Sequence, residues 1–324
     1  MRITSVEAVP LAWPLPRERM RWWSDYGPRT EMHALIVRVR TDEGIVGYGE
    51  VHLGYGYTRG ACYAAKTIVE KELAPIVIGQ DPTRPELLWE RMYNDPRSDL
   101  ALRYGHSCPR LGRRGLTVCA MSGIEMAVWD VFARSLGVPI HKLLGGGYRD
   151  RLPAYASGGH APPEHAAEEA ISYVEKGFRA IKMRVGGMDA PEIPKRSVER
   201  VRIVREAIGP EVMLMIDAHG SLNVRQAIRL AREVEEFDIA WFEEPVSSDN
   251  WRGMAQVRRS TVIPIATGEN DFTPFDFRDI IRMEAADILQ PDLAVCGGFT
   301  SARRIAALAQ ACLLYTSPSP RDRG

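Results

Sequence analysis

Hydrophobic and polar residues alternate with a period of two along residues 2–13 (RITSVEAVPLAW) and 32–51 (MHALIVRVRTDEGIVGYGEV). That is the pattern of strands with one buried face, and Asp42, Glu43 and Gly44 supply the turn signal between two of them. Helical spacing follows over residues 63–79 and 85–95, the second stretch opening after Asp81 and Pro82 as a capped helix should. These elements predict an α+β unit at the start of the chain. A longer helical pattern occupies residues 116–137 (LTVCAMSGIEMAVWDVFARSLG) and stops at Gly137.

From Leu152 onwards the pattern changes to short apolar runs alternating with helical stretches: 152–159, then 165–177, 178–186, 197–209, and so on to 287–298 and 301–311. Parallel strands joined by helices, with polar residues at each strand end, predict a (β/α) barrel with its site at the C-terminal face. A doubly wound sheet is the alternative, but no Gly-rich phosphate fingerprint follows the first strand.

Three of the apolar runs, VMLMIDAHG, IAWFEEP and IPIATGEN, end in an acid: Asp217, Glu243 and Glu269. The interval from 217 to 243 and from 243 to 269 is 26 residues in both cases, enough for one strand, one helix and two loops. The carboxylates therefore recur at the same end of successive strands. Crowded carboxylates repel unless a cation joins them, and hard oxygen ligands suit Mg²⁺. A single strand-end acid would be read as an ordinary surface residue.

Composition narrows the picture little. The chain has 324 residues, 45% of them hydrophobic, with 42 basic and 42 acidic side chains, which allows one large domain or two. Zero formal net charge gives no support to a nucleic-acid or membrane partner. No run of eighteen apolar residues occurs, and residues 1–20 lack a signal-peptide core. Cys62, Cys108, Cys119, Cys296 and Cys312 are scattered with no CxxC pair, so a reduced cytoplasmic setting without disulfides or zinc is expected. Residues 14–31 (PLPRERMRWWSDYGPRTE) form either a plain surface loop or a lid whose Trp22, Trp23 and Tyr26 bind an anionic, hydroxylated ligand.

The stretches SGIEMAVWDVFARSLGVPIHKLLGG, IKMR, MIDAH, WFEEP, ATGEN and QPDLAVCGG together resemble the enolase superfamily, in particular its mandelate racemase subgroup, up to about Ala311. The resemblance implies a modified (β/α)7β TIM-like barrel over residues 126–311, here lacking its last strands, and an N-terminal α+β capping domain over residues 1–125. Residues 312–324 read as a non-native tail, neither strand nor helix, with the seventh and eighth barrel strands missing. Asp217, Glu243 and Glu269 are implied as the Mg²⁺ ligands. Lys182 would support the substrate carboxylate. Two residues on, where a lysine base is usual, stands Arg184, a poor base but a good carboxylate clamp. Asp292 would end the next strand after Glu269 and orient a histidine base, yet no histidine follows His219. His219, two residues beyond Asp217, resembles the general acid of members that dehydrate sugar acids.

The expected reaction is therefore abstraction of the proton alpha to a carboxylate followed by loss of water, giving a 2-keto-3-deoxy acid from a sugar acid. Racemisation or epimerisation of a 2-hydroxy acid is the runner-up, and a truncated, non-catalytic metal and carboxylate binder is the reading from another class. A homo-oligomer is expected from the resemblance alone.

Overall fold

The computed structural model describes residues 1–14, 31–53, 58–94, 112–147 and 149–316. Trp22, Trp23 and Tyr26 lie outside the described residues. Strands β1 (Ile3–Pro14), β2 (Glu31–Thr41) and β3 (Val46–Val51) form an antiparallel sheet in that order. Along β2 the residues His33, Leu35, Val37, Val39 and Thr41 are buried, every second one, so one face of the sheet is committed to a core. The helices of this unit are α1 (Arg59–Thr67), which continues through a π-helical turn (Ile68–Leu73) into α2 (Ala74–Val77), and α3 (Pro85–Asn94). Thr58 caps α1 by accepting the N–H of Ala61 at 3.2 Å.

Helix α4 (Leu116–Ser135) packs on that sheet and runs unbroken through residues 125 and 126. It is long and apolar enough to cross a membrane, but 72% of its most apolar window is buried inside the protein, so packing accounts for its composition. The approach to β3 is backbone to backbone. A Cβ added at Gly49 would lie 2.1 Å from the carbonyl oxygen of Gly123, which explains the paired glycines of VGYGEV. A short helix α5 (Ile140–Leu143) then leads to the second unit.

There the chain alternates as its pattern predicts: β4 (Ala156–Gly158), α6 (Pro163–Glu175), β5 (Ala180–Arg184), α7 (Lys195–Ile208), β6 (Met213–Asp217), α8 (Val224–Val234), β7 (Ile239–Glu243), α9 (Trp251–Arg258), β8 (Ile265–Thr267), α10 (Thr273–Arg282) and β9 (Ile288–Leu289). Helices α11 (Leu293–Cys296) and α12 (Gly298–Ala311) and strand β10 (Tyr315–Thr316) complete the described chain. The strands form one parallel sheet, paired in chain order from β4 to β10. This is the (β/α) winding of a barrel.

Strand β10 corrects the expectation that residues 312–324 hold no strand and that the seventh barrel strand is missing. Tyr315 and Thr316 pair in parallel with Ile288 and Leu289. Leu314, just before them, packs on the barrel core and donates its N–H to the carbonyl of Ala309 at 2.9 Å. Leu-Leu-Tyr-Thr is a strand-compatible run that the neighbouring Ser/Pro composition obscured.

Two polar clusters hold the architecture. Glu125 of α4, buried, accepts the indole N–H of Trp129 at 2.6 Å and the backbone N–H groups of Phe299 and Thr300 at 2.8 and 2.9 Å, so it closes the first turn of α12. Arg200 of α7, also fully buried, donates to the carbonyls of Gly159, of Ala161 at 3.0 Å and of Arg184 at 2.8 Å. From α6, the Glu169 carboxylate accepts the N–H groups of Gly159 and Ala161 at 3.1 and 2.8 Å. The backbone on either side of His160 is thereby tied at both its donors and its acceptors.

Candidate active site

Period-two alternation decides which side chains reach the barrel axis. In β5, Ile181 and Met183 join the core under the helices, and in β6 Leu214 and Ile216 do the same. Met215 and Trp241 instead pack inside the barrel with Tyr155. Lys182, Arg184, Asp217 and Glu243 share the inward parity, Lys182 level with Met215 and the other three one level nearer the C-terminal mouth. The register places Arg184 beside Asp217 and Asp217 beside Glu243.

These side chains meet. The Lys182 ammonium contacts Glu243 Oε1 and lies 3.3 Å from Asp217 Oδ2, and an Arg184 guanidinium nitrogen lies 2.7 Å from that same Asp217 oxygen. Both cations project to one face, as their spacing predicts. Glu269 stands two residues past β8, and its Oε1 is 3.4 Å from His219 Nε2. The backbone N–H of His219 donates to Asp217 Oδ1 at 2.8 Å, which ties the histidine to the neighbouring carboxylate. Metal-ligating atoms of His219, Glu244 and Glu269 lie within 4.8 Å of one another. The carboxylates therefore form two halves, Asp217 with Glu243 around Lys182, and Glu269 with Glu244 beside His219.

Glu244 escaped the sequence reading, although it is the second acid of WFEEP. It is 2% exposed, with Lys182 at 7%, Asp217 at 4% and Glu243 at 2%. Burial first, and then the charge of Glu269, raise the Glu244 carboxyl well above its ordinary range, while Asn270 donates to it at 2.9 and 2.8 Å. For Lys182 burial acts to lower the pKa, but the nearby Glu243 and Asp217 charges outweigh it, so the ammonium titrates above its ordinary value and stays a cation. His219 at φ 48° and Glu244 at φ 38° both hold left-handed backbone that side chains rarely adopt. Such strain collects where geometry is constrained by function.

Four carboxyl groups face two fixed cations here, and the surplus is acidic and built from hard oxygens. That donor set fits a divalent ion of the magnesium type. Asp292 behaves differently from the expectation. It lies three residues beyond β9 and caps α11, accepting the N–H of Ala294 at 2.7 Å, because a carboxylate before a helix's first turn finds its free N–H groups. It therefore stands at the head of α11 and does not end the strand.

Three further side chains around the site carried no sequence signal beyond apolar or loop character. Trp241 Nε1 donates to Glu243 Oε2 at 3.3 Å, and Gln290 Nε2 donates to the same oxygen at 2.9 Å. The Tyr155 ring lies 5.8 Å from the Lys182 ammonium and edge-on to Trp241 at 5.9 Å.

Comparison with known proteins identifies the family. Residues 24–145 match the mandelate racemase / muconate lactonizing enzyme N-terminal domain, and residues 165–319 match the enolase C-terminal domain-like family. An arabinonate dehydratase from Saccharolobus solfataricus is 31% identical over 86% of this chain and 70% of its own length. A D-galactarolactone cycloisomerase from Agrobacterium fabrum is 35% identical over 85% of this chain and 68% of its own. A crystal structure of a racemase from Streptomyces coelicolor with bound magnesium superposes with a TM-score of 0.82 at 33% identity, covering 97% of this chain and 82% of that one. Relatives of this kind are enzymes that dehydrate, cycloisomerise or racemise their substrates. On its capping sheet, its parallel barrel strands and these matches to both domains, the chain belongs to the enolase superfamily, in its mandelate racemase subgroup.

Proposed function

We propose that this protein catalyses magnesium-dependent β-elimination of water from a sugar acid, giving a 2-keto-3-deoxy acid. The observation that carries the reading is His219. It is held two residues from Asp217 and 3.4 Å from Glu269, on the mouth of the barrel where a leaving hydroxyl can take its proton. Asp217, Glu243 and Glu269 would hold the ion. Magnesium, when bound, supplies positive charge to the substrate carboxylate as the α-proton departs.

The remaining work falls to the chain's own residues. Lys182, held against Glu243 and 3.3 Å from Asp217, serves to stabilise carboxylate charge. Arg184 does not deprotonate, so the usual base position of β5 serves as a charged clamp that keeps Asp217 in place. A racemase needs a competent base on each face of its substrate, and this face has none of the expected kind. Elimination needs a base for the α-proton and an acid for the departing hydroxyl, and the His219 imidazole can serve as both in turn, taking the α-proton and returning it to the hydroxyl as water leaves. The relatives named as dehydratases support the same reading.

The test is incubation with magnesium and a panel of five- and six-carbon sugar acids in deuterium oxide. A semicarbazide-reactive keto product supports elimination. Deuterium exchange at the α-carbon without keto product supports racemisation instead. Calorimetric binding of a sugar acid with neither product nor exchange leaves a non-catalytic carboxylate binder.

A further inference from the structure

Gln290 follows β9 directly, and its backbone N–H donates to the carbonyl of Thr267 at 2.8 Å, which pins the end of the strand beside β8. Its side-chain Nε2 donates to Glu243 Oε2 at 2.9 Å. An ionised carboxylate only accepts, so the amide has one chemically allowed orientation, with the NH₂ on Glu243 and the oxygen elsewhere. Turning it over would set two acceptors against each other. Glu243 is otherwise occupied by Lys182 and by the Trp241 indole, so the bond that fixes Gln290 is part of a filled arrangement.

The amide oxygen is left over. Gln290 Oε1 is buried and has no hydrogen-bond donor among the described residues. Native proteins leave few such atoms, because an acceptor removed from water without a partner is costly. Because the amide is held on Glu243, its oxygen lies close to a carboxylate of the site. The donor it lacks is an O–H or N–H, and an ionised carboxylate group cannot provide one.

Resting on the sugar-acid reading above, we infer that Gln290 Oε1 accepts a hydrogen bond from a hydroxyl of the bound acid. Gln290 is then a specificity-determining residue. A hydroxylated acid satisfies both ends of its amide, whereas an acid without hydroxyl groups leaves the oxygen buried and unpaired.

The experiment is titration calorimetry of the full chain in saturating magnesium chloride, with D-gluconate, D-galactonate, D-xylonate and hydroxyl-free propionate. Wild type is compared with Gln290→Met, which keeps the length of the side chain and removes both polar atoms. Gln290→Leu serves as a second variant, and circular dichroism confirms the fold of each. The expected result is that the tightest-binding sugar acid weakens about tenfold or more while propionate changes less than about twofold. Equal weakening of both ligands, or a loss confined to magnesium affinity, overturns the inference, because Gln290 then acts through Glu243 alone. Wild type that binds no sugar acid more tightly than propionate also overturns it. If wild type binds none of the four acids, the sugar-acid reading falls and this inference falls with it.

Discussion

Glu125 accepts the backbone N–H of Thr300, 175 residues further along the chain, at 2.9 Å. With Phe299 N–H and the Trp129 indole on the same carboxylate, the helix of the cap finishes the first turn of a barrel helix. Gly298 makes room for this contact, since a Cβ there would lie 2.0 Å from Glu125 Oε2. Glu125→Ala strands two buried backbone donors and is expected to cost about 3 kcal/mol, read as a lower urea midpoint.

The same carboxyl sets a pH dependence. Burial pushes it up to about 7 against the pull of its hydrogen bonds, from an ordinary 4.5 when unfolded. The folded state therefore holds this proton more tightly. Its contribution to stability is fully present below about pH 4.5 and is lost as pH rises through 7. Glu125→Gln, which does not titrate, is expected to flatten that part of the stability profile measured by urea unfolding between pH 4.5 and 8.

Magnesium chloride is expected to raise the thermal midpoint. At a concentration of 100 times Kd the gain is about 2.7 kcal/mol, because the ion binds the folded site and not the unfolded chain. Asp217→Asn and Glu269→Gln should each lose most of that gain in differential scanning calorimetry while keeping the fold.

Lys182→Met separates metal from substrate. Removing the ammonium leaves Asp217 and Glu243 with less positive charge, so magnesium affinity should rise, about tenfold by calorimetry. Sugar-acid turnover should fall by about a thousandfold, since the cation that stabilises the developing charge is gone.

His219→Asn is expected to lower keto-acid formation by about a hundredfold or more, the usual worth of a positioned acid. α-Deuterium exchange, followed by proton NMR, should fall with it, because the same imidazole takes the α-proton.

Much of this site was legible because strand ends are legible. Lys182, Arg184, Asp217 and Glu243 each close or nearly close an apolar run, and the two-residue period determines which way they face. Partners that depend on the bend of a loop were not legible. Glu244 turns back toward Glu269 only through a left-handed residue, and Gln290 reaches Glu243 from 47 residues away. Nothing in WFEEP or ILQPD states that geometry. The placing of Asp292 at a strand end failed because a strand-end acid and a helix-capping acid look alike when strand and helix are separated by three residues. The helix over Leu116–Ser135 was legible, but its periodicity says nothing about its serving both units.

The arrangement around residue 160 has a consequence for how such a site can change. Glu169 and Arg200 grip Gly159 and Ala161 only by main-chain N–H and C=O groups. Those four bonds do not involve the side chain between them. The same main-chain bonds remain available after an exchange at residue 160, so a new side chain there would start from a segment already held by Glu169 and Arg200. A scaffold that separates what is displayed from what does the holding lets one substitution alter selectivity with little effect on folding.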